Sequence, residues 1–157
     1  MFPDLTRDDV FRIETRRLWL RWPTAKDRDA ILTLALARRS APASLIGVVA
    51  IHPGSDGTPE LGYWLGQPYW GAGLMREAVR ALCNAFFAYA GGTDLASSAR
   101  IVNPASRRVL EACGFVHAGT GTKPFPARGA DLPVDLFHLD RARWRACAAE
   151  AVLTEAA

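Results

Sequence analysis

The spacing of apolar positions changes several times along the chain, and each change marks an element. In Arg17–Arg21, Leu18 and Leu20 fall on one side, as in a half-buried strand that Pro23 closes. Ile31–Arg38 and Ser44–His52 are apolar runs of strand type, and the polar break at Ser40–Ala43 joins them as a hairpin. The loop Pro53–Pro59 leads into a segment where Leu61, Tyr63 and Leu65 repeat at period two, so three antiparallel strands are expected to form a meander. From Met75 the period lengthens. Met75, Val79, Leu82, Phe86 and Tyr89 predict a helix over 73–90, stopped by Gly91 and Gly92. Leu95–Val102 predicts another strand, and Asn103-Pro104 opens a second helix that Gly114 ends, so a βαβ unit is built into the sheet. Two more strands are expected at Phe115–Thr120 and Val134–Leu139, separated by a Pro/Gly-rich loop from Lys123 to Pro133. Asp140 caps a terminal helix with Trp144, Cys147, Ala148, Ala151 and Val152 on one face. Residues 1–14 read as a lead-in with one helical turn after Thr6, and Thr24–Ala30 leaves space for only a turn or two of helix. The expected fold class is α/β (α+β): a mixed, mostly antiparallel central sheet with flanking helices, in one domain.

Composition narrows this picture. With 157 residues, half of them hydrophobic and 22% charged, the chain has enough apolar surface for one real core and is not of disordered type. A net charge of +3, from 19 basic and 16 acidic residues, is too small to argue for nucleic acid, although it does not repel a polyanionic ligand. The three cysteines, Cys83, Cys113 and Cys147, form no Cys-X-X-Cys pair and fall in apolar helical patterns, so they read as buried free thiols rather than as a metal site. The charged N-terminal stretch lacks the apolar region of a secretory signal. The aliphatic run Leu45–Ile51 is far shorter than the ~20 residues that span a bilayer. A cytoplasmic location, with no membrane partner, is expected.

The chemistry gathers in one stretch. Between the strand ending at Leu65 and the helix beginning near Leu74 stands Trp70-Gly71-Ala72-Gly73, a glycine loop entering a helix. The first N–H groups of a helix have no intrahelical acceptor and lie at the positive end of its dipole, so an anion placed there meets several donors. A dinucleotide fingerprint would need a third glycine where Arg76 stands, and no Gly-Lys-Ser/Thr is present for a P-loop. A glycine pair before a helix is, in itself, more often only a tight turn than a phosphate site. Asn103 followed by Pro104 is sufficient helix-start chemistry on its own. Ser106 shares the inward face of that helix with Val109, Leu110 and Cys113, and a buried hydroxyl wants a partner.

Taken together, the segments Gly62–Leu65, Trp70–Ala78 and Asn103–Phe115 resemble the GNAT superfamily of N-acetyltransferases, and Glu14–Arg21 resembles its RimJ/RimL-type branch, which acetylates N-terminal α-amines of ribosomal proteins and, in relatives, small-molecule amines. The resemblance implies acetyl-CoA as donor, an amine acceptor and splayed central strands that hold the pantetheine arm, here Tyr63–Leu65 beside Ile101–Asn103. It implies a pyrophosphate on the backbone of Trp70, Gly71, Ala72, Gly73, Leu74 and Met75, where Trp70 and Met75 depart from the family's usual residues. It further implies thioester polarisation by the Leu65 N–H, cofactor contact by Asn103, and Ser106 as the polar residue of the following helix. Many members carry a tyrosine one turn further on that protonates the thiolate; this chain has Leu110 there, leaving Ser106 or a water as donor. The family also places a pair of helices between its first two strands. Here Thr24–Ala30 takes their place, so either the acceptor side is open and completed by a partner subunit such as that of a homodimer, or the sequence lacks a segment there, or acetyl transfer has been lost.

An amine must lose a proton to attack, and Glu60, at the head of the central strand, is the candidate base, with His52 and His117 in reserve. A solvated strand-end carboxylate is the plainer reading of Glu60. A CoA-binding module or assembly subunit without turnover is the alternative to an acetyltransferase.

Overall fold

The computed structural model describes residues 12–21, 32–54 and 56–155. Eight strands run in the spatial order β1-β2-β3-β4-β5-β6-β8-β7. They are β1 Arg12–Glu14, β2 Leu18–Arg21, β3 Leu32–Arg38, β4 Gly47–Pro53, β5 Pro59–Leu65, β6 Asp94–Arg100, β7 Val116–Phe125 and β8 Ala130–Asp140. Three helices, α1 Leu74–Ala88, α2 Pro104–Ala112 and α3 Arg141–Glu155, complete the described chain. Neighbouring strands are antiparallel except β5 and β6, which are parallel because α1 carries the chain back between them.

The expected meander is β3-β4-β5, with Val49 opposite both Leu34 and Tyr63. Alternation puts Leu18, Leu20, Leu34, Leu36, Val49, Ile51 and Leu61 on one face, and α1 covers it with Leu74, Met75, Ala78, Val79, Leu82 and Phe87, all buried. At ~25 cal/mol per Å² of apolar area removed from water, this layer is the main source of stability. The terminal helix is capped as its sequence predicts, Asp140 accepting from the Arg143 N–H at 2.7 Å, and Trp144 stacks on Phe87 at 5.4 Å. Cys83 and Cys113 are buried free thiols, whereas Cys147, expected to be buried, is a half-buried free thiol, and burial raises the Cys113 pKa to about 11.

Three expectations need correction. Arg12–Glu14 is not lead-in but a strand, recruited by the exposed edge of β2. The loop expected over Lys123–Pro133 is the tip of a long hairpin, in which β7 and β8 continue to a single turn at Pro126–Arg128. Its prolines are tolerated because β7 is an edge strand and Pro133 lies beyond the last β6–β8 pair, Arg100 with Val134. Finally, β6 ends at Arg100, and Ile101 and Val102 are exposed residues of the turn before α2. The lead-in helical turn and the short 24–30 connection lie outside the described residues.

Candidate active site

The parallel pairing of β5 and β6 is short. It covers Glu60 with Ala96 and Leu61 with Ser97, although β5 runs on to Leu65 and β6 to Arg100. Beyond that point the strands diverge. Ser97, buried at the last rung, turns its hydroxyl onto the Leu61 carbonyl at 2.9 Å, where the ladder ends. On the other side of β5, the Gly66 N–H donates to the Ile46 carbonyl at 2.8 Å, next to the Gly47–Leu65 pair. That position makes Gly47–Leu65 a pair of the kind that exchanges no hydrogen bonds, so Leu65, and by alternation Tyr63, direct their peptide groups away from β4 and into the gap. The Leu65 carbonyl there is taken by the Trp70 indole N–H at 2.7 Å. Its N–H is left facing the cleft.

The glycine loop stands at the mouth of this cleft. Gly71 and Gly73 have φ of 74° and 72°, left-handed backbone that glycine adopts without penalty. Gly73 is the N-cap of α1 and supplies no capping side chain, so the leading N–H groups of the helix point outward unanswered by a cap. Leu74 and Met75 bury their side chains in the core, so at the loop they present backbone. A knot of contacts holds the loop. Glu77 accepts from the Thr15 hydroxyl at 2.6 Å, the Arg17 N–H at 2.9 Å and the Arg17 guanidinium at 2.7 Å. The same guanidinium donates to the Ala72 carbonyl at 2.8 Å. Burial alone would raise the Glu77 pKa, but the hydrogen bonds from Thr15 and Arg17 and the charge of Arg17 outweigh it and lower the pKa. Beside the loop lies a cavity of about 350 Å³ lined by Arg17, Arg38, Arg39, Ser40, Ala72 and Leu74. Its three arginines already have partners, Arg17 with Glu77, Arg39 with Glu14 at 2.6 Å and Arg38 over the Tyr69 ring, so they lend the helix N-terminus positive charge that is partly neutralised.

Across the gap, Asn103 caps α2, its Oδ1 accepting from the Ser106 N–H at 3.2 Å. Ser106 meets the Tyr63 hydroxyl, Oγ to Oη 2.9 Å, and the phenol also lies 3.1 Å from the Ser106 carbonyl. Leu110 is fully buried in the core. Glu60 is ion-paired with Lys123 of β7 and accepts a 3.3 Å hydrogen bond from Ser98. His52 is its cross-strand neighbour. His117 is turned instead to Asp135, which also takes Arg107, and so stands apart from Glu60. The structure thus brings together Leu65, the glycine loop, Asn103 and Ser106. It also shows Arg17, Glu77 and Lys123, which the sequence reading did not assign, and a side-chain contact of Tyr63, which that reading named only as part of the Tyr63–Leu65 strand.

A sheet that splays open beside a glycine loop at a helix N-terminus is the arrangement that the resemblance to N-acetyltransferases implies. Residues 6–116 match the acetyltransferase (GNAT) domain family, and the chain belongs to that family. It is an acetyl-CoA-dependent N-acetyltransferase. No significant match to a curated protein is found. Among solved structures, the ribosomal-protein-S5-alanine acetyltransferase of Vibrio fischeri is similar at TM-score 0.71 and 18% identity, over 85% of this chain and 98% of that one. The GNAT-family acetyltransferase of Bacillus anthracis superposes at TM-score 0.69 and 17% identity, over 84% and 99%. The spermidine/spermine N-acetyltransferase SpeG of Vibrio cholerae, in mutant forms, is similar at TM-score 0.65 and 17% identity, over 78% and 72%. These likenesses establish the fold.

Proposed function

We propose that this protein moves the acetyl group of acetyl-CoA directly onto a primary amine, a protein N-terminal α-amine or a small-molecule amine, within the β5–β6 cleft. The observation that carries the reading is the Leu65 N–H, turned into a cleft that opens beside the glycine loop. In this reading the backbone from Trp70 to Met75 and the leading N–H groups of α1 hold the pyrophosphate, and Arg17 with its neighbouring arginines supports its charge. The free peptide groups of Tyr63 and Leu65 pair with an extended pantetheine arm as a further strand would. The Leu65 N–H polarises the thioester carbonyl; donors of this kind are worth ~2.7–4 kcal/mol where charge develops on oxygen. Asn103 contacts the arm, and Ser106 faces the sulfur.

Glu60, relayed by water, takes the proton of the attacking amine, and Lys123 keeps the carboxylate in place. The similarity of Glu14–Arg21 to the RimJ/RimL-type branch favours an N-terminal α-amine as acceptor. The pairing of Glu60 with Lys123 points the same way, because it removes the free carboxylate that a polycation would seek. The test is CoA release from acetyl-CoA with a panel of peptides and polyamines, beside calorimetry of acetyl-CoA alone. Release is expected with peptides bearing a free N-terminus. Absence of any acetyl-CoA binding would overturn the reading.

A further inference from the structure

Departure of CoA leaves an electron pair on sulfur in the cleft, and the half-buried groups on the α2 side of the cleft include two touching hydroxyls from different elements. We propose that Tyr63 is a positioning residue for the leaving sulfur: its phenol donates to Ser106 Oγ, so that the Ser106 proton is turned into the cleft and hydrogen-bonds the sulfur. This rests on the acetyl-transfer reading above and extends it to a residue that has no role there beyond its backbone.

The geometry carries the assignment. Tyr63 belongs to the diverged end of β5 and Ser106 to the first turn of α2, so their 2.9 Å contact spans the cleft from one arm to the element that follows the other. A serine hydroxyl in a helix, left alone, can turn its proton onto a nearby backbone carbonyl. A phenol donating to its oxygen occupies one lone pair and leaves the proton free to point elsewhere. Tyr63 has a single proton and two acceptors, Ser106 Oγ and the Ser106 carbonyl at 3.1 Å. Only donation to Oγ frees the serine proton. Packing of the ring against the core fixes the phenol in reach of both.

The pair acts as a hydrogen-bond donor and not as a proton source. Desolvation raises the Tyr63 pKa to about 12, whereas a thiol ionises near ~8.5, so full transfer from phenol to thiolate runs uphill. In the reaction the amine nitrogen bonds to the acetyl carbon, the carbon–sulfur bond breaks and its electron pair goes to sulfur. The proton lost by the amine, carried through the base and solvent, balances the one that sulfur finally gains. Both hydroxyls keep their own protons.

The experiment uses the full chain with CoA itself and needs no acceptor. The ultraviolet absorbance of the thiolate gives the pKa of the thiol of bound CoA in wild type, Tyr63→Phe, Ser106→Ala and the double variant. Each single variant is expected to raise that pKa by about half a unit or more, through loss of a donor to the charged form. The double variant should be no worse than Ser106→Ala, with CoA affinity kept within about twofold and melting temperatures near wild type. With an active acceptor, Tyr63→Phe should lower kcat about tenfold. A thiol pKa unmoved by Tyr63→Phe while CoA still binds overturns the positioning role and leaves acetyl transfer standing. Additive effects of the two substitutions overturn it as well. If CoA does not bind to wild type, the acetyl-transfer reading falls and this role falls with it.

Discussion

Gly73 shows how much one residue decides. Its φ of 72° costs a residue with a Cβ about 1–2 kcal/mol, and a branched side chain would also come up against the guanidinium groups of Arg17 and Arg76. Trp70, by contrast, is largely exposed and touches the site through one indole N–H. Calorimetry of acetyl-CoA should therefore show Gly73→Val weakening binding by about tenfold or more and Trp70→Gln by clearly less. The reverse order would place the phosphates elsewhere. Glu60 is tested at the same scale. Replacement by Gln keeps the shape and most hydrogen bonds but removes the proton acceptor, so kcat/KM should drop about a hundredfold while acetyl-CoA affinity stays. An unchanged kcat/KM across the acid limb and the plateau would reduce Glu60 to an anchor for Lys123. Local sequence indicated Gly73 and Glu60 because a glycine before a helix and a carboxylate heading a strand are legible along the chain. It did not indicate Lys123, which reaches Glu60 only because the β7–β8 hairpin is longer than its prolines implied.

Between elements, the contact that matters most to the loop joins the β1–β2 turn to the first turn of α1. Glu77 there ties Thr15 and Arg17, and Arg17 in turn holds Ala72. Because the folded pKa of Glu77 is lowered, the stability it contributes is present above the ordinary glutamate value and is lost as pH falls through the lowered one. Glu77→Gln should accordingly lower the melting temperature by several degrees at neutral pH, from a loss of roughly 1–3 kcal/mol. The gap from wild type should close as the solution is acidified. Thermal scans over an acid pH series measure this, and a gap of constant size would mean that Glu77 is not held as a charged acceptor. No sequence period could have revealed the knot, since its partners lie 60 residues apart. The divergence of β5 from β6 was legible only through family resemblance, because alternation along one strand carries no information on where its neighbour leaves.

For the whole molecule, the cleft is a place where a ligand would join two halves of the sheet. Binding to the folded state alone adds about 2.7 kcal/mol at a hundred times Kd. For a chain of this size that corresponds to a rise in melting temperature of about 5–10 °C with acetyl-CoA, measured by thermal scanning. Free adenosine, which lacks the pyrophosphate and the arm, should give little of it. A shift of equal size with adenosine would move the main contacts away from the loop and the cleft.

What the sequence determined by itself is whatever short-range chemistry fixes. Period two in Leu61–Leu65 and helical spacing from Met75 set the elements, two glycines set the loop, and Asn103 with Pro104 set the start of α2. These are properties of a backbone and its nearest neighbours. The tertiary structure alone decided which side chains meet: Arg17 with Glu77, Tyr63 with Ser106, and Glu60 with Lys123, separated by 60, 43 and 63 residues. Such pairings follow from strand order, register and the length of a hairpin. Those are settled by packing of the whole sheet against its helices, for which no single stretch of chain holds the pattern.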